Sequence, residues 1–362
     1  MPAIHKHPEF IVRSAEPFNG GPPLPLLREH VVTPSELFFV RNHGNVPDVD
    51  VASYRLRVEG VVDRELQLSL AELRNEFPSV TLPATLQCAG IRRTELMAVE
   101  PIPGELPWEA EAISHGVWRG VPLHAVLAAA GVDSTAKHVA FSGLDVVQRR
   151  GETFGFGGSI PLAKALSPEL MLAYELNGAP LPPTHGFPLR VLAPGYVGAR
   201  SVKWLATITL QAEPSANYFQ QRAYKLFPPD VHANTVDWAE GEMLGELDVN
   251  AVICQPTADA TLPRGTIDVQ GYAIAGGPQG IERVEVSSDG GTTWTEARLS
   301  APLQPWSWRF WSAQLALSAG RHQLVVRACA MDGATQPPVA GPIWNFKGYM
   351  NNAWHRITIV VS

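Results

Sequence analysis

In the stretch TLQCAGIRRTEL, residues 85–96, three residues separate Cys88 from the pair Arg92 and Arg93. Two guanidinium groups beside a thiol favour the thiolate, the form that binds soft metals or attacks electrophiles. A free cysteine is equally at home as a small buried apolar residue, so this stretch alone leaves both readings open. Zinc does not fit: no second cysteine stands two to four residues from Cys88, and the chain has no HExxH. A thiol hydrolase would need a histidine and an orienting partner brought to Cys88 by the fold, a role for which His185 is a candidate. The glycine-rich GETFGFGGS follows neither the Walker nor the Rossmann pattern. A second group consists of basic residues in turns bounded by glycine or proline: Arg41 in FFVRNHG, Arg190 in HGFPLRV, and Arg200 with Lys203 in GARSVKW. One such residue is ordinarily a solvated charge, but several in the turns of one domain suit a phosphate or another oxyanion.

The elements that must position these residues can be read from period and punctuation. YRLRVEGVV and SVTLPATLQC alternate as strands, the second leading directly into Cys88. Ser69 and Glu72 form a capping box ahead of LAELRNEF, and Gly131 closes a short helix in VPLHAVLAAAGV. SIPLAKAL reads as another short helix, and PLRVLAP and SVKWLATITLQAE as strands flanking the turn PGYVGAR. Such a mixture, without regular βα alternation, is an α+β unit over residues 36–223. Residues 1–35, rich in proline and glycine, read as an extended arm, and 224–246 as a linker of little periodicity. From residue 247 to 362, six or seven short strands follow one another, with Asp289-Gly290-Gly291 as a hairpin turn. This region is expected to form an immunoglobulin-like β-sandwich.

Composition narrows the class. At 362 residues, two domains are expected, and a hydrophobic fraction of 45% is ample for two cores. The net charge of −7 argues against nucleic-acid binding, so any anion must meet a local basic pocket. No apolar run reaches eighteen residues and MPAIHKHPEF is no signal peptide, which points to no membrane span. The cytoplasm is the expected compartment, or the periplasm if a leader has been removed. Three cysteines make no disulfide framework; Cys254 and Cys329 read as strand residues of the sandwich core, pairing only in an oxidising setting.

FFVRNHG, TLQCAGIRRTE, FSGLD, IPLAKAL, LAYELNG, HGFPLRVLAPGYVGARSVKWL, SDGGTTW and NNAWHR together resemble the sulfite oxidase family of mononuclear molybdenum enzymes, in the same order and spacing. The resemblance spans residues 30–362 and implies a molybdopterin-binding domain followed by an immunoglobulin-like dimerisation domain, hence a homodimer. It implies a molybdenum-molybdopterin cofactor, with Cys88 as the thiolate on the metal. The cofactor-binding loop is implied to be Phe39, Val40, Arg41, Asn42 and His43. Asp145, His185, Arg190 and the turn Ser201-Val202-Lys203 are implied to make further pterin and phosphate contacts. Arg41 and Arg93 would hold the substrate anion, with Trp108 as a pocket wall and Tyr224 beside the reacting oxygen. Lys347, in WNFKG, stands where relatives carry an arginine that contacts the substrate, keeping the charge without the bidentate fork. Ile91 replaces an asparagine after CAG, and Ala223 an acidic residue before Tyr224.

The implied reaction is oxidation of sulfite to sulfate by oxygen-atom transfer, with two electrons passed to an external acceptor, oxygen or a cytochrome. Residues 1–35 are too short for a haem domain, so no haem is expected in this chain. Alternatives are another oxyanion or sulfoxide oxidoreductase on the same fold, nitrate reductase-like, or a non-catalytic two-domain binding protein. His355 in NNAWHR is sulfite-oxidase-like, and retention of Cys88, Arg41 and Tyr224 speaks against a silent protein. The aromatic run WSWRFW reads equally as core, surface cluster or interface.

Overall fold

A computed structural model of the chain describes residues 5–149 and 151–362. Two sheets build the N-terminal unit. One orders its strands Gly157–Pro161, His138–Gly143, Leu205–Gln211, Leu56–Gly60 and Leu66–Leu68. The other orders Ala179–Pro180, Met171–Leu176, Ile113–Pro122 and Val80–Gln87, with Arg190–Leu192 also paired to Met171–Leu176. Short helices are set by the signals expected of them. At Leu70–Glu76 the Ser69 hydroxyl accepts the Glu72 N–H at 3.2 Å while the Glu72 carboxylate accepts the Ser69 N–H at 2.7 Å. Leu123–Ala130 stops at Gly131, whose φ of 73° suits glycine. Its Leu123, Val126, Leu127 and Ala130 recur at helical spacing and pack with Val139, Leu172 and Ile208 of the sheets. SIPLAKAL divides: Gly157–Pro161 is strand, and only Leu162–Ala165 is helix.

The C-terminal unit is a two-sheet sandwich. Asn250–Gln255, Gly265–Ile274, Arg309–Leu317 and Arg298–Leu299 face a second sheet of Thr261–Leu262, His355–Val361, Gly320–Ala330, Ile281–Ser287 and Thr295–Glu296. Alternate residues such as Val269, Trp311, Leu324, Val326 and Ile359 fill the core, each burial worth about 1.5–3 kcal/mol for an aliphatic side chain. Gly271 lies opposite Trp311, and a Cβ there would stand 2.5 Å from the indole. At the hairpin, Gly290 and Gly291 take φ of 77° and 101°, and the Asp289 carboxylate accepts the N–H groups of Thr292 and Thr293 at 2.9 Å. Cys254 and Cys329 are free and buried within these strands. Among the described residues no helix is long and apolar enough to cross a membrane.

Two segments differ from expectation, and a third resolves among the readings left open. The arm is folded: Ile11–Ser14 pairs with Asn19–Gly21, the helix Leu24–Glu29 follows, and Gly20 exchanges both backbone hydrogen bonds with Val40 at 3.0 and 2.8 Å. Proline and glycine punctuate here without preventing pairing, because Val40 offers the partner edge. In the linker, Lys225–Leu226 pairs with Glu242–Met243, and Phe227 packs edge-on against Trp238 with ring centroids 5.7 Å apart. WSWRFW lies inside the chain. Trp311 enters the sandwich core, whereas Trp308 and Phe310 join the N-terminal unit, the Trp308 N–H donating to Thr85 Oγ1 at 3.0 Å.

The units therefore share a core, and Arg92 pins them polarly. Its fully buried guanidinium donates to the Glu95 carboxylate at 2.7 and 2.6 Å and to Asn250 Oδ1, on the sandwich, at 2.8 Å. Its backbone, at φ 56°, is left-handed, and the helix Arg93–Val99 starts immediately after it. Arg92→Met is expected to lower the unfolding free energy by about 3 kcal/mol, because Glu95 and Asn250 lose their buried donor. Denaturant unfolding of the purified variant checks this, and a change below about 1 kcal/mol would contradict the pinning role.

Candidate active site

The strand Val80–Gln87 delivers Cys88 to the wall of a cavity between the two sheets' loops and the segment that carries Tyr224. The Cys88 N–H donates to the Ala112 carbonyl at 2.9 Å, and its Sγ accepts the Gly90 N–H at 3.4 Å, so thiol and backbone are both held. Ile91 packs in the surrounding core. Phe39, Arg41, Asn42 and His43 also line it, from the segment on either side of the Val40 bridge to Gly20. Asp145, His185, Arg190, Ser201, Lys203 and Tyr224 complete the expected residues lining it. The side chains of Val40 and Val202 are buried and do not line it, so only their backbone would meet a bound group.

The basic residues are held by backbone oxygens. Arg190 donates to the carbonyls of His185 and Ser201 at 3.0 and 2.9 Å. Lys203 donates to Asn42 Oδ1 and, at 2.9 Å, to the Thr184 carbonyl, with its ammonium 4.3 Å from the Trp204 ring centroid. Burial first, and then Arg190, pushes Lys203 well below an ordinary lysine, while burial brings Arg190 down to about 9. Burial raises Asp145, against the pull of Lys203. Three cations, Arg41, Arg190 and Lys203, thus line the cavity against the single carboxylate of Asp145. A partly buried wall with its charge so unbalanced calls for an anionic ligand.

Two residues outside the expected set support this wall. Lys6, in the arm, donates to the Ser35 and Phe38 carbonyls at 2.8 and 2.7 Å and lies 3.1 Å from His185 Nε2. Burial, only partly offset by Glu36, brings it down to about 7. Asn19 Oδ1 accepts the Asn42 N–H at 2.6 Å and Arg41 Nη1 at 3.3 Å, orienting the cavity-lining loop. The only local sign of Asn19 is its place in FNGG, where glycines admit close backbone approach.

Tyr224 follows one π-helical turn, Phe219–Ala223, and its hydroxyl lies 2.7 Å from His43 Nε2. Arg41 Nη2 stands 3.2 Å from His43 Nδ1 and can only donate. Nδ1 is therefore the acceptor and Nε2–H the donor to Tyr224. Burial, reinforced by Arg41, keeps His43 well below its ordinary value, hence neutral. The Tyr224 hydroxyl, raised by burial, keeps its own proton, which is not committed to His43.

Arg93, Trp108 and Lys347 lie beside the cavity rather than in its lining. Tyr349 of the C-terminal unit joins the two regions, stacked on Tyr224 at 5.3 Å and lying 5.1 Å below the Arg93 guanidinium. Gly348, φ 62°, leaves room for this: a Cβ there would meet Arg93 Cγ at 2.6 Å. Lys347 and Arg93 both pair with Glu105. Trp108 is buried with its indole N–H unpartnered among the described residues. His355 is away from this region, accepting the Ile253 N–H at 3.1 Å inside the sandwich.

The donor set fits a molybdopterin. Cys88 is one soft donor, the aromatic walls Phe39, Phe156 and Trp204 suit a flat ring system, and the surplus cations suit a phosphate. Among the described residues no three His, Cys, Asp or Glu gather as a metal cage, so the remaining ligands would have to come from the cofactor.

Residues 43–219 match the oxidoreductase molybdopterin binding domain, and residues 242–362 the Mo-co oxidoreductase dimerisation domain. Sulfite oxidase of Gallus gallus is 45% identical over 361 residues, covering 97% of this chain and 78% of its own length. Sulfite oxidase of Arabidopsis thaliana is 36% identical, covering 98% of this chain and 94% of its own. Among solved structures, the sulfane dehydrogenase SoxCD from Paracoccus pantotrophus superposes with a TM-score of 0.80 at 25% identity, over 98% of this chain and 87% of that one. A shared α+β unit and sandwich, the thiol cavity and this extent of identity lead to one assignment: the chain belongs to the sulfite oxidase family of molybdenum-molybdopterin oxidoreductases.

Proposed function

We propose that this chain oxidises sulfite to sulfate: sulfite and water give sulfate, two protons and two electrons. The observation that carries the reading is a buried thiol, Cys88, facing the same cavity as three cations and the Tyr224 hydroxyl. Cys88 would hold the metal as thiolate, while Arg190, Lys203, His185 and Ser201 would hold the pterin and its phosphate. When bound, that cofactor supplies oxygen-atom transfer and takes up the two electrons.

The protein supplies charge and position. Arg41, Arg93 and Lys347 oppose the charge of the substrate dianion, and Trp108 closes the pocket behind it. Neutral His43 fixes the Tyr224 oxygen by donating to it, which leaves the tyrosine proton free for an oxygen of the anion. Electrons pass to an external acceptor, oxygen or a cytochrome. The match of residues 242–362 to a dimerisation domain supports a homodimer. Three free, buried cysteines are in keeping with the cytoplasm.

Anaerobic addition of sulfite to the molybdenum-loaded protein tests the reaction. Stoichiometric reduction of the metal, followed spectroscopically, is expected; absence of reduction would overturn the assigned substrate.

A further inference from the structure

Glu105 is the acidic member of a cluster whose other charged members are cations. Its carboxylate accepts from Lys347 Nζ through Oε1, and its Oε2 stands 3.8 Å from Arg93 Nη2. Glu105 and Lys347 are each about one-sixth exposed and Arg93 is almost wholly buried, at 17%, 16% and 2%. The rest of the Arg93 fork is committed to backbone. Nε donates to the carbonyls of Gly348 at 3.0 Å and Lys347 at 3.2 Å, and Nη1 to that of Leu106 at 2.9 Å. Nη2, facing Glu105, is the edge of the guanidinium without a carbonyl partner among the described residues. Although burial opposes ionisation, Lys347 and Arg93 hold the Glu105 carboxyl below its ordinary range, so the cluster contains a fixed anion.

A carboxylate and a small oxyanion are alternative acceptors for the same cations. We propose that Glu105 is a positioning residue that competes with the substrate oxyanion for Lys347 and Arg93, weakening the site's hold on small dianions and speeding release of the product. This rests on the reading of the site as one that binds sulfite. Three positive charges from Arg41, Arg93 and Lys347, without Glu105, would retain a dianionic product strongly; one internal carboxylate reduces that surplus. Lysine at position 347 suits the exchange, since a single-point ammonium transfers between acceptors more readily than a bidentate fork.

The test uses the molybdenum-loaded full chain. Glu105→Gln keeps the shape and a hydrogen-bonding oxygen but removes the charge. The expected result is a roughly tenfold lower KM for sulfite and a similarly lower inhibition constant for sulfate, with kcat moving far less than KM, since one charge contact is worth about a factor of ten. Glu105→Asp, which restores the charge, should return both constants toward wild type. A rise in both constants would mean that the carboxylate holds the cations in place for substrate. No change in either would mean that the ion pairs are structural only; each of these results overturns the proposal. Calorimetric titration of the oxidised protein with sulfate reads the same site without turnover. A chain that fails to oxidise sulfite would therefore still reveal tighter sulfate binding in Glu105→Gln, separating failure of this inference from failure of the assigned reaction.

Discussion

Cys88→Ser is expected to reduce turnover by more than about 100-fold while leaving the fold intact. Disturbing groups that merely orient a metal ligand typically costs about 10–100-fold, and loss of the ligand itself should exceed that. Serine offers a hard oxygen that remains protonated near neutrality, whereas the proposed metal contact needs a soft anionic donor. The substitution is nearly isosteric, and the backbone bond from the Cys88 N–H to Ala112 does not involve the side chain. Thermal unfolding should therefore change little. Turnover and molybdenum content, measured together on the same preparation, check the expectation. Turnover near that of wild type would remove Cys88 from the metal.

The sequence makes local features legible and leaves distant ones obscure. Ser69 with Glu72, Gly131, and Asp289-Gly290-Gly291 each act within a few residues, so cap and turn chemistry suffices to find them. Arg92 and Arg93 look alike in TLQCAGIRRTEL but part company in the fold. The left-handed turn at Arg92 sends one guanidinium to Asn250 on the sandwich and the other to the Gly348 carbonyl, 255 positions away in the chain. No periodicity encodes that division. Tyr349 and Glu105 escaped notice for the same reason: each matters through Arg93 and Lys347, which only tertiary packing brings beside them. Val40 and Val202 show what a motif leaves open: it assigns a whole loop, and only the fold shows that these two side chains are buried away from the lining, leaving their backbone amides as the groups that would face a phosphate.

The second large effect concerns the other end of the cavity. In Lys203→Met, molybdenum and pterin phosphate content should fall at least about tenfold, because Lys203 is the half-buried cation proposed to meet the phosphate. Methionine matches the length of the lysine stem and tolerates irregular apolar surroundings beside Trp204, so the chain itself should still fold. Retention of full cofactor content would sink the assignment of Lys203 to the phosphate. A pH measurement provides a separate check on the cationic wall. Burial holds Lys6 at about 7 in the fold, against 10.5 for an ordinary lysine. Between those values the unfolded chain binds a proton that the folded chain does not, so the stability of cofactor-stripped protein should rise with pH from about 7 to 10.5. Below pH 7 both states are protonated, and the full cost of burying the ammonium persists. An anion bound in the cavity favours the charged lysine and raises its folded value, so the loaded protein should show a flatter dependence over the same window. A loaded protein with the same slope as the stripped one would mean that the anion leaves Lys6 unaffected, and that the arm closes on His185 for reasons of packing alone.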